Sequence, residues 1–143
     1  MKWLADILRG IADSIAPKQT LELPSPRIRI NEAQARKIGE LIKTVPGFEN
    51  CILAAIAPSN SMEPSIDDGM HVILDPSIPH TGLVNGDIIY YEAPGFKAIH
   101  RIKLIGLDSD GWHCICQGDN NGYPDPVIVR PEHIRGTWRM TLN

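Results

Sequence analysis

No stretch of this chain approaches the roughly 18 consecutive apolar residues that a membrane-spanning helix needs. The longest apolar run, Cys51 to Ala57, is less than half of that, so a bilayer-spanning chain is not expected. No secretory signal is expected in the first residues, because Asp6, Arg9 and Asp13 interrupt what would have to be a continuous hydrophobic region. Cytoplasmic residence, at most peripheral to a membrane, is the expectation. A basic excess is also missing: 14 Lys and Arg stand against 17 Asp and Glu, a formal net charge of -3. Without a general field for condensing on phosphates, no nucleic-acid partner is expected. Cysteine is scarce. Cys51, Cys114 and Cys116 cannot all pair within one molecule, and Cys114 and Cys116 point to the same side of a strand rather than forming an easy bridge. Reduced, structural cysteines follow. Internal repeats and low-complexity tracts are absent as well.

What remains is 143 residues, 43% of them hydrophobic, enough for one domain with a modest extension. From Trp3 to Ile15, apolar residues recur at helical spacing opposite Lys2, Asp6, Arg9 and Asp13. Residues 1–16 therefore read as an amphipathic helix, which packs on the domain, docks to a partner protein or lies on a membrane surface. Its balanced charge favours packing or docking. Residues 17–30, with Pro17, Pro24 and Pro26, read as an extended linker. Residues 31–143 form the main body. It opens with a second helix, started by the N-cap residue Asn31, carrying Ile38, Leu41, Ile42 and Val45 on one face, and stopped at Pro46-Gly47. The long proline-containing stretch between the helices argues against a DNA-binding helix-turn-helix.

Beyond Gly47 the texture changes to short apolar runs divided by Pro, Gly, Asp and Asn. Strands are predicted at Ile52 to Ala57, His71 to Leu74, Asp87 to Glu92, Ala98 to Ile105, Trp112 to Cys116, Val127 to Val129 and Thr137 to Leu142. Pro94-Gly95 and Asp110-Gly111 read as hairpin turns. The fold class is mainly β, preceded by two short helices.

Three segments carry chemistry. The first is Ser59-Asn60-Ser61-Met62-Glu63-Pro64, directly after an apolar strand. A serine hydroxyl is a poor nucleophile unless a base removes its proton. The second segment, Gly86-Asp87 followed by Ala98-Ile99-His100-Arg101-Ile102, supplies a candidate base. Alternation puts His100 on the face of Ile102 and Leu104, with Arg101 and Lys103 opposite. An inward His is either a hydrogen-bonded core residue or a partly desolvated imidazole able to take the Ser61 proton. The third segment, Gly118-Asp119-Asn120-Asn121 through Asp125, is either a tight turn or the source of an orienting carboxylate, Asp119 or Asp125.

Together these segments resemble the type I signal peptidases. Ser61-Met62-Glu63-Pro64 looks like their nucleophile box. Gly86-Asp87 with His100-Arg101 looks like the general-base box of the endoplasmic-reticulum and archaeal branch, where histidine replaces the bacterial lysine. Gly118-Asp119-Asn120-Asn121 with Asp125 looks like the acidic box of the same branch. The resemblance covers Ala54 to the C-terminus, in the family's order and approximate spacing. It implies an antiparallel β domain with coiled sheets and a serine endopeptidase. Ser61 would be the nucleophile and His100 the base, with Asp119 and Asp125 as candidate supports. The Ser61 amide and the Ser59 hydroxyl would form the oxyanion hole, and Met62 and Pro64 would contact substrate. The implied substrate is a peptide or protein bound as an added extended strand, with small side chains before the cleaved bond. No cofactor or metal is implied, and a zinc site from His71, His80, His113 and the cysteines lacks paired ligand spacing.

The family's Gly-Asp a few residues after the nucleophile box is Gly69-Met70 here, and no counterpart of its transmembrane anchor is expected. Either the amphipathic helix replaces the anchor or the domain cleaves something other than an exported precursor. The related self-cleaving repressors share the Ser-Met-Glu-Pro box but use a lysine base and cleave a bond, usually Ala-Gly, that this chain lacks. The alternative reading is a catalytically silent or self-processing peptidase-fold module with a binding, assembly or regulatory role.

Overall fold

The computed structural model describes residues 30–142; the amphipathic helix of 1–16 and all but the last residue of the predicted linker lie outside them. Helix α1, Glu32–Ile42, begins where expected. Asn31 accepts the Gln34 amide while Gln34 reaches back to the Asn31 amide, each at 2.9 Å, a capping box that satisfies two end donors. Its Gly39 approaches the Leu53 side chain, with space for a Cβ at 3.6 Å.

Six strands follow: β1 (Ile52–Ala55), β2 (His71–Asp75), β3 (Ile88–Ala93), β4 (Phe96–Asp108), β5 (Gly111–Gln117) and β6 (Ile134–Leu142). They form one antiparallel sheet in the order β1-β2-β6-β3-β4-β5. Both predicted hairpin turns are present, with Gly95 and Gly111 at positive φ (76° and 100°), a conformation most L-residues avoid. Register shifts interrupt the β2–β6, β3–β6 and β4–β5 pairings. Each such irregularity bends its strand and adds twist.

The bending lets the sheet enclose more than one core. Val72 and Leu74 pack with Met62, Ile66, Met70 and Ile88, whereas Ile73 joins Cys51 and Leu142 on the other side, against Ile30, Ile38 and Ile42. A third cluster holds Ile89, Tyr91, Ile102, Cys114, Cys116 and Val129. The unbroken apolar run in β2 is thus buried on both faces. Full burial of each such side chain contributes about 1.5–3 kcal/mol.

Three expectations need correction. Helix α1 stops at Ile42, short of Val45, and of its expected apolar face only Ile38 and Ile42 pack on the core, while Leu41 and Val45 are exposed. Val127 to Val129 is not a strand; Val129 makes a single bridge to Cys114. Pro126 and Pro131 bracket it and remove the amide donors a longer ladder needs. Leu104 does not share the face of His100 and Ile102. The partner of Ile102 is Cys116 and that of Leu104 is Ile115, so Lys103 is an extra residue in the ladder. This one-residue slip turns Leu104 outward, 53% exposed. Ile105 packs on the core instead.

Candidate active site

The turn carrying Ser61 is built from short polar contacts. Asn60 sits at φ 58°, the left-handed region that asparagine tolerates best after glycine. One Asp68 carboxylate oxygen accepts the Ser59 and Asn60 amides, each at 3.1 Å. From the other side the Asn120 amide donates to the Ser61 carbonyl at 2.9 Å, and the Asn120 side chain donates to the Asn60 carbonyl at 3.1 Å. The turn is therefore held between two loops.

His100 reaches it from β4, only 4% exposed. Its Nε2 lies 2.9 Å from Ser61 Oγ. On the opposite edge of the ring, Nδ1 lies 2.8 Å and 2.7 Å from the two Asp125 oxygens. Asp125 is anchored by its own amide, which donates to the Cys116 carbonyl at 2.8 Å. The acid fixes the tautomer: with Nδ1–H donated to a buried carboxylate, Nε2 carries the lone pair that faces the serine. Ser59 Oγ lies 3.1 Å from Ser61 Oγ, and among the described residues the Ser61 amide has no hydrogen-bond partner.

Asp119, the other candidate carboxylate, does not touch the ring. Arg101 grips it, and Ser65 Oγ donates to it at 2.5 Å. The Arg101 guanidinium, helped by Ser65, holds this carboxyl below the usual aspartate range against the effect of burial. A third guanidinium bond, from Arg101 to the Gly86 carbonyl at 2.8 Å, ties the acidic loop to the start of the base segment. The conspicuous Gly86-Asp87 and His100-Arg101 pairs are thus joined, but through Arg101.

Gly118 is where Ser61, His100 and the acidic loop meet most closely. A Cβ there would lie 2.5 Å from the Ser61 carbonyl oxygen and 3.0 Å from His100 Nε2. Only glycine fits.

A cleft of about 640 Å³ opens beside Ser61, lined by Ala54 to Ala57 on one side and Phe96 to Ile99 on the other. Met62, Ile66 and Tyr90 also line it. Both bordering segments offer open backbone. Ile102 directs its amide and carbonyl toward Asp87 and Gly86, so alternation turns those of Lys97 and Ile99 away from β3. On that side the β5 ladder ends at Arg101. Likewise Ile56 directs both groups toward Met70 and Gly69, which leaves those of Ala55 and Ala57 on the outer edge of β1. Met62 is buried in the cleft wall, whereas Pro64 is exposed and outside it, because the chain turns back with the Ile66 amide on the Met62 carbonyl at 2.9 Å.

Two participants are not among the residues that the sequence motifs mark. Asp68 lies in an ordinary acidic pair and has no distinguishing signal. Tyr91 had one, since strand alternation pairs it with Ile89 on an inward face, and a buried phenol needs a partner. It donates to Asp125 Oδ2 at 2.5 Å.

Among the described residues, no group of three His, Cys, Asp or Glu side chains is placed to hold a metal ion, and no helix is long and apolar enough to cross a membrane. A scan against protein-family models finds no match to the chain, and a search of curated proteins finds none either.

Proposed function

We propose that the chain is a serine endopeptidase of the type I signal peptidase kind, histidine branch, with a signal-peptidase-like coiled β domain. The observation that carries this reading is the continuous contact from Ser61 Oγ to His100 Nε2 at 2.9 Å and from His100 Nδ1 to Asp125 at 2.7 Å. His100 takes the Ser61 proton as Oγ attacks the substrate carbonyl. The resulting oxyanion is met by the Ser61 amide and the Ser59 hydroxyl, and Asp125 stabilises the imidazolium. His100 then gives its proton to the departing amine, and water, deprotonated by the same ring, releases the acyl group from Ser61. Asp119 serves the architecture through Arg101 and Ser65.

The substrate is an extended peptide seated between Ala55 and Ala57 on one side and Lys97 and Ile99 on the other, paired through their open backbone groups. The cleft walls are mostly apolar, which suits uncharged side chains before the cleaved bond. The test uses a library of unstructured peptides with alanine before the scissile bond. Cleavage by the wild type and its loss in Ser61→Ala, with unchanged circular dichroism, is the expected result. Cleavage that survives in the variant overturns the mechanism.

A further inference from the structure

We infer that Tyr91 is a positioning residue of this site, its hydroxyl fixing the Asp125 carboxylate against His100 Nδ1 and sharing the charge of Oδ2. Its kinetic consequence rests on the peptidase reading; its effect on the His100 ring does not.

Asp125 lies on no strand or helix, and its side chain is only 2% exposed. Surrounding water therefore does little to orient it or to spread its charge. Its oxygens meet the His100 ring, and Oδ2 also receives the Tyr91 hydroxyl at 2.5 Å. A charge-assisted bond of this kind is about twice as strong as a neutral one. The donor itself is held firmly. Tyr91 is fully buried, its ring stacks on Phe96 with centroids 6.1 Å apart, and in the β3–β4 ladder it pairs with Ala98, two residues before His100. Ring packing alone would be served by phenylalanine. The hydroxyl adds a desolvation cost that only its bond to Asp125 offsets. Burial, and then that bond, push the phenol far above its ordinary range, so it stays a donor at neutral pH.

The remaining titratable groups against this pair are the Cys114 and Cys116 thiols of β5; the bond to Cys114, together with burial, raises the Cys116 thiol beyond ordinary titration. Tyr91 is thus the neighbour that donates to Asp125 from β3. By drawing charge from Oδ2 it weakens the hold of the carboxylate on a protonated ring.

The experiment follows the His100 ring by NMR across pH in the wild type, Tyr91→Phe, Asp125→Asn and the double variant, with peptide kinetics alongside. Without the donor, Asp125 binds the imidazolium more tightly. The ring's protonation midpoint in Tyr91→Phe therefore rises by roughly half a pH unit or more. Because the carboxylate is no longer held in one position against Nδ1, kcat nevertheless falls, by about tenfold, with KM unchanged. In the Asp125→Asn background Tyr91→Phe moves the midpoint no further. An unmoved midpoint in folded Tyr91→Phe, or the same shift without the Asp125 charge, overturns the inference. Should Tyr91→Phe not fold, a downfield, slowly exchanging Tyr91 hydroxyl proton in the wild type, lost in Asp125→Asn, supports it, and absence of that signal overturns it. A wild type that cleaves no peptide defeats the peptidase reading alone, since the ring titration still decides the role of Tyr91.

Discussion

Arg101 holds Asp119 with two parallel bonds, Nε to Oδ1 at 2.8 Å and Nη2 to Oδ2 at 2.7 Å, while its neighbour His100 engages Asp125 from the opposite face of the same strand. Successive residues of β4 thus take one aspartate each from a single loop. One pair performs chemistry in the proposed mechanism, and the other fixes the loop that presents it.

The structural pair has a pH signature. Because the folded state depresses Asp119 below its ordinary value of 3.8, its contribution is complete above that value and is lost as pH falls through the lower folded one. Urea unfolding of the wild type is expected to weaken more steeply below about pH 4 than that of Asp119→Asn, which has no such proton to take up. Parallel curves for the two proteins would contradict this. At neutral pH, Arg101→Met is expected to cost about 1–3 kcal/mol, because a largely buried carboxylate loses its fork.

Ser61→Ala and His100→Ala are each expected to lower kcat by roughly 10⁵ or more, and the double variant by no greater factor, since in the proposed mechanism nucleophile and base act as one unit. Peptide turnover in the three proteins checks it. Multiplying effects would show that the two side chains work independently despite their 2.9 Å contact.

Ser59→Ala probes the oxyanion role. Removal of one donor costs about 3 kcal/mol in the transition state, so kcat should drop roughly a hundredfold while KM stays put. A rise in KM at constant kcat would assign Ser59 to substrate binding instead.

Gly118→Ala should damage the site without removing any functional group. The new methyl meets the Ser61 carbonyl oxygen at 2.5 Å and the Asn121 side-chain nitrogen at 2.7 Å, and the first is backbone that cannot simply rotate away. A loss of about 1–3 kcal/mol in stability and a disproportionate loss of kcat are expected. Wild-type turnover in this variant would mean that the Ser61 turn is far more yielding than its hydrogen bonds imply.

Much of this was legible from residues alone, for local reasons. Asn31 and Gln34 identify a helix start because capping needs those side chains three residues apart, and Gly95 and Gly111 mark hairpins because the turns require positive φ. Ser61, in a polar turn directly after an apolar run, and His100, on the inward face of a strand, stand out for the same local reasons. The choice between Asp119 and Asp125 was not legible, because both follow the same glycine on a loop whose path depends on what receives it. Lys103 as a bulge was hidden too, since an extra residue exists only relative to a partner strand.

Residues near one another in the chain decided where most elements begin and turn and which side chains could carry chemistry, through spacing, capping and turn geometry that act within a few residues. Tertiary structure decided the partnerships. Ser61, His100 and Asp125 are separated by 39 and 25 positions, so their meeting depends on how far each strand bends and where each ladder slips. A carboxylate's role follows from the donor that reaches it: Arg101 made Asp119 a tether, and His100 with Tyr91 set Asp125 against the ring that faces Ser61.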